Sequence, residues 1–214
     1  MKHVHLPGSD LRISQAVFGS SRLGGTVERY DKSEAIRILC EAAESGITTF
    51  DTADIYAQGN SEKLLGEALR SRRDEVVIAT KGGYVCSNKL RLLARLKPFV
   101  RKFIKKRGGM AKMAGKVRGS QIVQDFSADY LTRMVEASLR RLKTDRIDIY
   151  QLHSPDREVL KRGEVLETLQ GLKTAGKIRT YGASLLSWDD LPLCYGKGVS
   201  FVQLEADLLG VLSQ

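Results

Sequence analysis

Apolar residues along the chain follow two alternating rhythms. Short continuous runs (QAVFG, TTFD, EVVIAT, IDIYQLH, KIRTYGAS and VSFVQLEADLL) read as buried strands, centred on 16–19, 48–51, 76–80, 147–152, 178–183 and 200–205. Between them, apolar positions recur with the helical period. Ala35, Ile36, Leu39, Ala42 and Ala43 form one such stripe, and Leu131, Met134, Val135, Ser138, Leu139 and Leu142 form a stronger one. SEKLLGEALRS and GEVLETLQGLKTAG are two more helices, and SWDDLPLCYGKG is a short helix or a turn. Ser33 and Ser61 are candidate N-caps, and Gly46 is a helix stop. At the start, KHVHLPGSDLRIS predicts a β-hairpin around a Pro-Gly turn.

Strand and helix alternate, which predicts right-handed βαβ units and a parallel sheet in one domain over residues 1–214. Polar residues fall just beyond the strands' C-terminal ends: Asp51 and Tyr56, Lys81, His153, Ser184, and Gln203 near the end of the last strand. In α/β barrels and open α/β sheets that face holds the ligand.

Charge changes this picture only locally. The net charge of +10 suggests an anionic partner. Residues 82–124, however, hold twelve Lys or Arg and no acidic residue, and the rest of the chain sums to −2 (23 basic against 25 acidic). The basicity therefore belongs to an insert, placed at 85–124. Its Leu92, Leu93, Leu96, Phe99, Val100, Phe103 and Ile104 share a helical stripe opposite a basic side. That pattern fits a lid packed over the site, or contact with a membrane surface or an acidic partner. No aromatic platform accompanies the charge, which argues against nucleic acid. No apolar run is long enough to span a bilayer, and MKHVHLPGSD lacks the apolar core of a secretory leader. Cys40, Cys86 and Cys194 are far apart and suggest no disulfide framework, so a cytoplasmic location is expected. His3 and His5 share one strand face and read as structural, with no metal site implied.

The strand-end residues have a joint chemistry. A phenol is a poor acid at neutral pH, with a reference value of ~10, and a nearby ammonium favours its phenolate. A carboxylate keeps a lysine charged and oriented. An imidazole at the same mouth can bond a substrate oxygen or relay a proton. Tyr56, Lys81, Asp51 and His153 together make a proton donor aimed at a carbonyl oxygen, suited to hydride addition or its reverse.

FDTADIY…SEKLLGEAL, VVIATKGG, DYLTRMVEASLRRLKTDRIDIYQLHSP, LKTAGKIRTYGAS and FVQLEADLLG resemble the aldo-keto reductase family in order and spacing, over residues ~10 to 210. The resemblance implies a (β/α)₈ TIM-barrel-type fold and NADP(H)-dependent reduction of an aldehyde or ketone, or oxidation of a sugar-type alcohol. It implies a tetrad of Asp51, Tyr56, Lys81 and His153. In that tetrad Tyr56 is the general acid, Lys81 is paired with Asp51 and lowers the Tyr56 pKa, and His153 orients the carbonyl. It also implies that Ser184 and Gln203 hold the nicotinamide carboxamide. Leu185 stands where many members carry Asn.

Against that pattern the chain offers about six of eight strands, so the expected barrel is incomplete at its C-terminal side. Three readings follow. The chain is truncated; a homo-oligomer or partner chain completes the barrel; or the acid-base set serves a non-redox lyase, isomerase or cyclase without dinucleotide. A catalytically degenerate subunit is the non-enzymatic form of the second reading.

Overall fold

The computed structural model describes residues 1–24, 30–86 and 122–204. Within them, a hairpin of β1 (His3–His5) and β2 (Arg12–Ser14) precedes β3 (Val17–Gly19). Then follow α1 (Lys32–Glu44), β4 (Thr49–Asp51), α2 (Asn60–Ala68), β5 (Val77–Gly82) and an antiparallel pair, β6 (Tyr84–Cys86) with β7 (Ile122–Gln124). After these come α3 (Ala128–Leu142), β8 (Ile147–His153), α4 (Arg157–Arg162), α5 (Glu164–Thr174), β9 (Ile178–Ser184) and β10 (Phe201–Gln203). The main sheet is six-stranded, ordered β10-β9-β8-β5-β4-β3, and every pairing is parallel. It curls as part of a TIM-type barrel, which is the expected class. Of the basic insert, residues 87–121 lie outside the described residues, so the expected lid or surface-binding helix does too. The same holds for the expected end of the last strand at 205.

The two faces of the sheet are separated by the period of two along each strand. Phe50, Ile78, Tyr150 and Leu152 join the large core on the helix side, with Leu65, Leu69, Leu131, Val135 and Leu169. Val77, Ala79 and Ile149 face the other way and meet Leu6 and Leu11 of the hairpin turn. The hairpin thus packs on the barrel-interior face. α2 and α3 approach closely because Gly66 has no side chain: a Cβ there would lie 2.2 Å from the Leu142 carbonyl oxygen.

Two expected caps are corrected. Asp31, not Ser33, caps α1: its carboxylate accepts from the Glu34 N–H at 2.9 Å, and the Ser33 hydroxyl donates to that same carboxylate. Gly59 precedes α2, and Ser61 is drawn instead into a buried network, donating to the Ser20 carbonyl at 3.0 Å while accepting from Thr52 at 3.1 Å. A hydroxyl buried between a helix start and the ends of two strands satisfies its hydrogen bonds there before it can serve a helix end. α4 was not anticipated, because its six residues carry little periodicity. His3 donates to or accepts from Thr48 Oγ1 at 3.0 Å, a structural use of one of the two hairpin histidines.

At the strands' N-terminal ends, fully buried Asp148 ties several elements together. It accepts from the Ile78 N–H at 2.9 Å, from Arg73 at 2.8 Å and from Arg179 at 2.9 Å, and Arg179 also reaches Asp10 at the hairpin turn. Removing one partner of a buried ionic set leaves the others uncompensated. Asp148→Ala is therefore expected to lower unfolding free energy by about 3 kcal/mol, read as a lower urea midpoint at unchanged slope.

Candidate active site

The segment after β4 stays locked to β5. Beyond Asp51, the Thr52 N–H donates to the Ala79 carbonyl at 2.9 Å and the Asp54 N–H to the Lys81 carbonyl at 3.0 Å. The chain then turns, with the Tyr56 N–H on the Ala53 carbonyl at 3.1 Å. Ala57 (φ 48°) and Gln58 (φ 58°) follow in the left-handed region that non-glycine residues rarely adopt, and Gly59 (φ 82°) leads into α2. This strained turn presents the Tyr56 ring at the sheet's C-terminal end.

Lys81 is 1% exposed. Its ammonium donates to both Asp51 oxygens, at 2.6 and 2.5 Å, and to the Thr52 carbonyl at 3.1 Å. Three acceptors match the three N–H bonds of an ammonium. Asp51 also receives the Gln151 amide, at a long 3.4 Å, and the Gln203 amide. Burial pushes the Asp51 carboxyl up and the Lys81 ammonium down, and each charge offsets the other's shift. The Lys81 nitrogen stands 5.3 Å from the Tyr56 ring centroid.

His153 closes the group. Its ring meets Tyr56 edge-on at 5.8 Å between centroids and Tyr84 at 4.8 Å. The backbone that carries it is also strained, since Ser154 has φ 51°. Gln124 steadies that turn, its amide donating to the Ser154 carbonyl at 2.6 Å. Burial, then the Lys81 charge, lowers His153 to about 4, so the imidazole is neutral. Its Nδ1 is buried with no partner among the described residues.

One expectation is corrected by the electrostatics. Tyr56 is not made more acidic by Lys81 in this arrangement. Burial, followed by the Asp51 charge, raises it to about 12. The Lys81 ammonium is bonded to Asp51, so at the phenol the two charges largely cancel and desolvation dominates.

The tetrad residues Asp51, Lys81, Tyr56 and His153 are thus brought together. Ser184 and Gln203 sit next to His153 in one row, paired His153 to Ser184 and Ser184 to Gln203 across adjacent strands. The Oε1 of Gln203 is buried without a partner among the described residues. Leu185 points into the helix-side core, 4% exposed, and offers the site only backbone, its N–H donating to the Gln203 carbonyl at 2.8 Å. Sequence reasoning missed Gln151, Tyr84 and Gln124. Gln151 was legible: it shares one face of β8 with Ile149 and His153, so a polar amide there had to face the site. Tyr84 and Gln124 are brought in by the β6–β7 pair, which no local pattern announced.

The chain is similar to known proteins. A family model described as "Aldo/keto reductase family" matches residues 16–209. The uncharacterized oxidoreductase YqkF of Bacillus subtilis is 35% identical over 185 residues, covering 86% of this chain and 49% of its own length. An NADH-specific methylglyoxal reductase of Escherichia coli is 30% identical, covering 98% of this chain and 60% of its own length. The holo form of aldo-keto reductase AKR11C1 from Bacillus halodurans superposes with a TM-score of 0.74 at 32% identity, over 96% of this chain and 58% of that one. The chain spans about half the length of the curated relatives it matches.

A buried neutral histidine has a pH consequence. Because the folded value is lowered from 6.5 to about 4, its contribution to stability is full above 6.5 and is lost as pH falls toward 4. Ring-nitrogen chemical shifts of His153 are expected to report the neutral form from pH 6.5 down to about 4.

Proposed function

The chain belongs to the aldo/keto reductase family, and on that premise we propose that it is an oxidoreductase acting on a small carbonyl compound, or the corresponding alcohol, with NADP(H) as redox partner. The observation that carries this reading is the Lys81–Asp51 ion pair beneath Tyr56, with neutral His153 edge-on to the same ring. A nicotinamide dinucleotide fits the residues present. Its carboxamide offers N–H donors and a carbonyl acceptor, and the unpartnered Gln203 Oε1 and the Ser184 hydroxyl, side by side, supply the complementary pair. When bound, the dinucleotide supplies or takes up the hydride.

The chain's own residues manage the oxygen and its proton. With a value of about 12, Tyr56 is a neutral phenol at physiological pH, ready to donate to a carbonyl oxygen. As that oxygen gains negative charge it becomes far more basic than a phenolate, and the Tyr56 proton passes to it. The phenolate left behind lies over the Lys81–Asp51 pair, whose charges largely offset at the ring, so it readily takes a proton back from solvent. Neutral His153 adds a hydrogen-bond donor without a second positive charge that would compete with Lys81. Tyr56 is only partly buried, which leaves it accessible to an incoming molecule.

The E. coli relative is NADH-specific by name, so NADH belongs in the test beside NADPH. Initial rates of NADPH oxidation with a panel of small aldehydes and ketones are expected to show turnover. Tyr56→Phe is expected to reduce kcat by about a hundred- to ten-thousand-fold with nucleotide affinity unchanged. A Tyr56→Phe protein as active as the parent would overturn the assignment.

A further inference from the structure

Behind the tetrad, on the helix side of the sheet, lies a second group of ionisable side chains that the chemistry above does not use. Glu62 of α2 is fully buried and fully satisfied: it accepts from Thr80 Oγ1 at 2.7 Å and is ion-paired with Arg141 of α3. Among the described residues Asp54 has no ion-pair partner of its own, and only the Ile55 N–H supports its carboxyl. Its Oδ1 is buried and unbonded among the described residues, and so is the Tyr150 hydroxyl. Both side chains converge on Gly82, where a Cβ would lie 2.0 Å from the Tyr150 oxygen and 3.4 Å from Asp54 Oδ2. Asp54 and Arg141 also share a cavity of about 200 Å³ with Ile55, Tyr84, Tyr130 and Met134. The charged and titratable groups facing Asp54 are therefore Glu62, Arg141, Tyr150, Tyr84 and Tyr130, and the one cation among them is bonded to Glu62.

Asp54 is placed to matter. It sits midway between Asp51 and Tyr56, and its own N–H is one of the bonds that lock this segment to β5. We infer that Asp54 is a positioning residue for Tyr56 whose bound proton strengthens the closure of the Asp51–Tyr56 segment on β5. Two carboxyls share one guanidinium, and Glu62 has it. An Asp54 carboxylate would be buried beside a like charge with no cation of its own. Burial and the Glu62 charge accordingly raise Asp54 from 3.8 to about 8. An opened segment releases the proton at the ordinary value, while the closed one keeps it. Closure is thus strongest below about 4, weakens as pH rises, and reaches a constant lower level above about 8, where Asp54 ionises in place. The cavity gives that carboxylate room to move away from Glu62.

What Tyr56 does rests on the reductase reading; the closure of its segment does not, and it is tested without substrate or dinucleotide. Amide hydrogen exchange of the full chain, corrected for intrinsic rates, is measured across the pH range for the Thr52 and Asp54 N–H groups. Protection is expected to fall by about tenfold per pH unit through the window and then level off near pH 8. Asp54→Asn is expected to abolish the slope. Glu62→Gln removes the like charge and frees Arg141, so the levelling-off is expected to move to lower pH; this variant carries the test if Asp54→Asn does not fold. Protection in the parent that is independent of pH, or an unchanged slope in Asp54→Asn, or an unmoved plateau in Glu62→Gln, would overturn the proposal. Should the slope appear as expected while the chain reduces no carbonyl, the reductase reading fails and the role of Asp54 in closure stands.

Discussion

The Lys81–Asp51 ion pair is the constraint on which the rest of the site depends. A lysine that is almost wholly buried is tolerable only with its ammonium fully bonded, and here two carboxylate oxygens and the Thr52 carbonyl do that. To bring those acceptors together, β4 must end beside β5 in the observed register, and the segment beyond it must keep bonding to β5 carbonyls. The same registration fixes where Tyr56 emerges. Losing either partner would leave an uncompensated buried charge, at about 3–5 kcal/mol, so the pair is also a check that the sheet has assembled correctly.

The two ends of the sheet divide the labour. At the strands' N-terminal ends, the Asp148 ionic set joins three strand regions and the hairpin with every charge matched. At the C-terminal ends several groups are left wanting: His153 Nδ1, Gln203 Oε1, Gln151 Oε1 and Asp54 Oδ1 are buried without partners among the described residues. Left-handed Ala57, Gln58 and Ser154 lie at the same end. Unmet hydrogen-bonding capacity and backbone strain cost stability, and natural folds concentrate both where they bind and react. The asymmetry supports placing the site at that end of the sheet.

Much of this was legible in the sequence, for identifiable reasons. The strands are continuous apolar runs because both faces of a parallel sheet are covered, so VVIAT and IDIYQL stood out. The period of α3 was strong because one whole face packs on the sheet and on α2. Asp51, Lys81 and His153 were found because each follows such a run directly. What escaped was whatever depends on contacts across the chain. Ser61 looks like a helix cap locally but spends its hydroxyl on Ser20 and Thr52. The acidity of Tyr56 looked set by the nearest cation, yet that cation is held by Asp51 and burial prevails. Asp54 reads as an ordinary polar loop residue until Glu62 and Arg141 are seen to be already paired beside it.

The central claim is that this sheet end accepts a nicotinamide dinucleotide next to Tyr56. Calorimetric titration of the folded chain with NADPH, with NADH alongside, tests it most directly. The account predicts saturable binding in about the micromolar range, weakened in Gln203→Leu. No heat of binding up to about millimolar nucleotide, in a protein shown by circular dichroism to be folded, would contradict it.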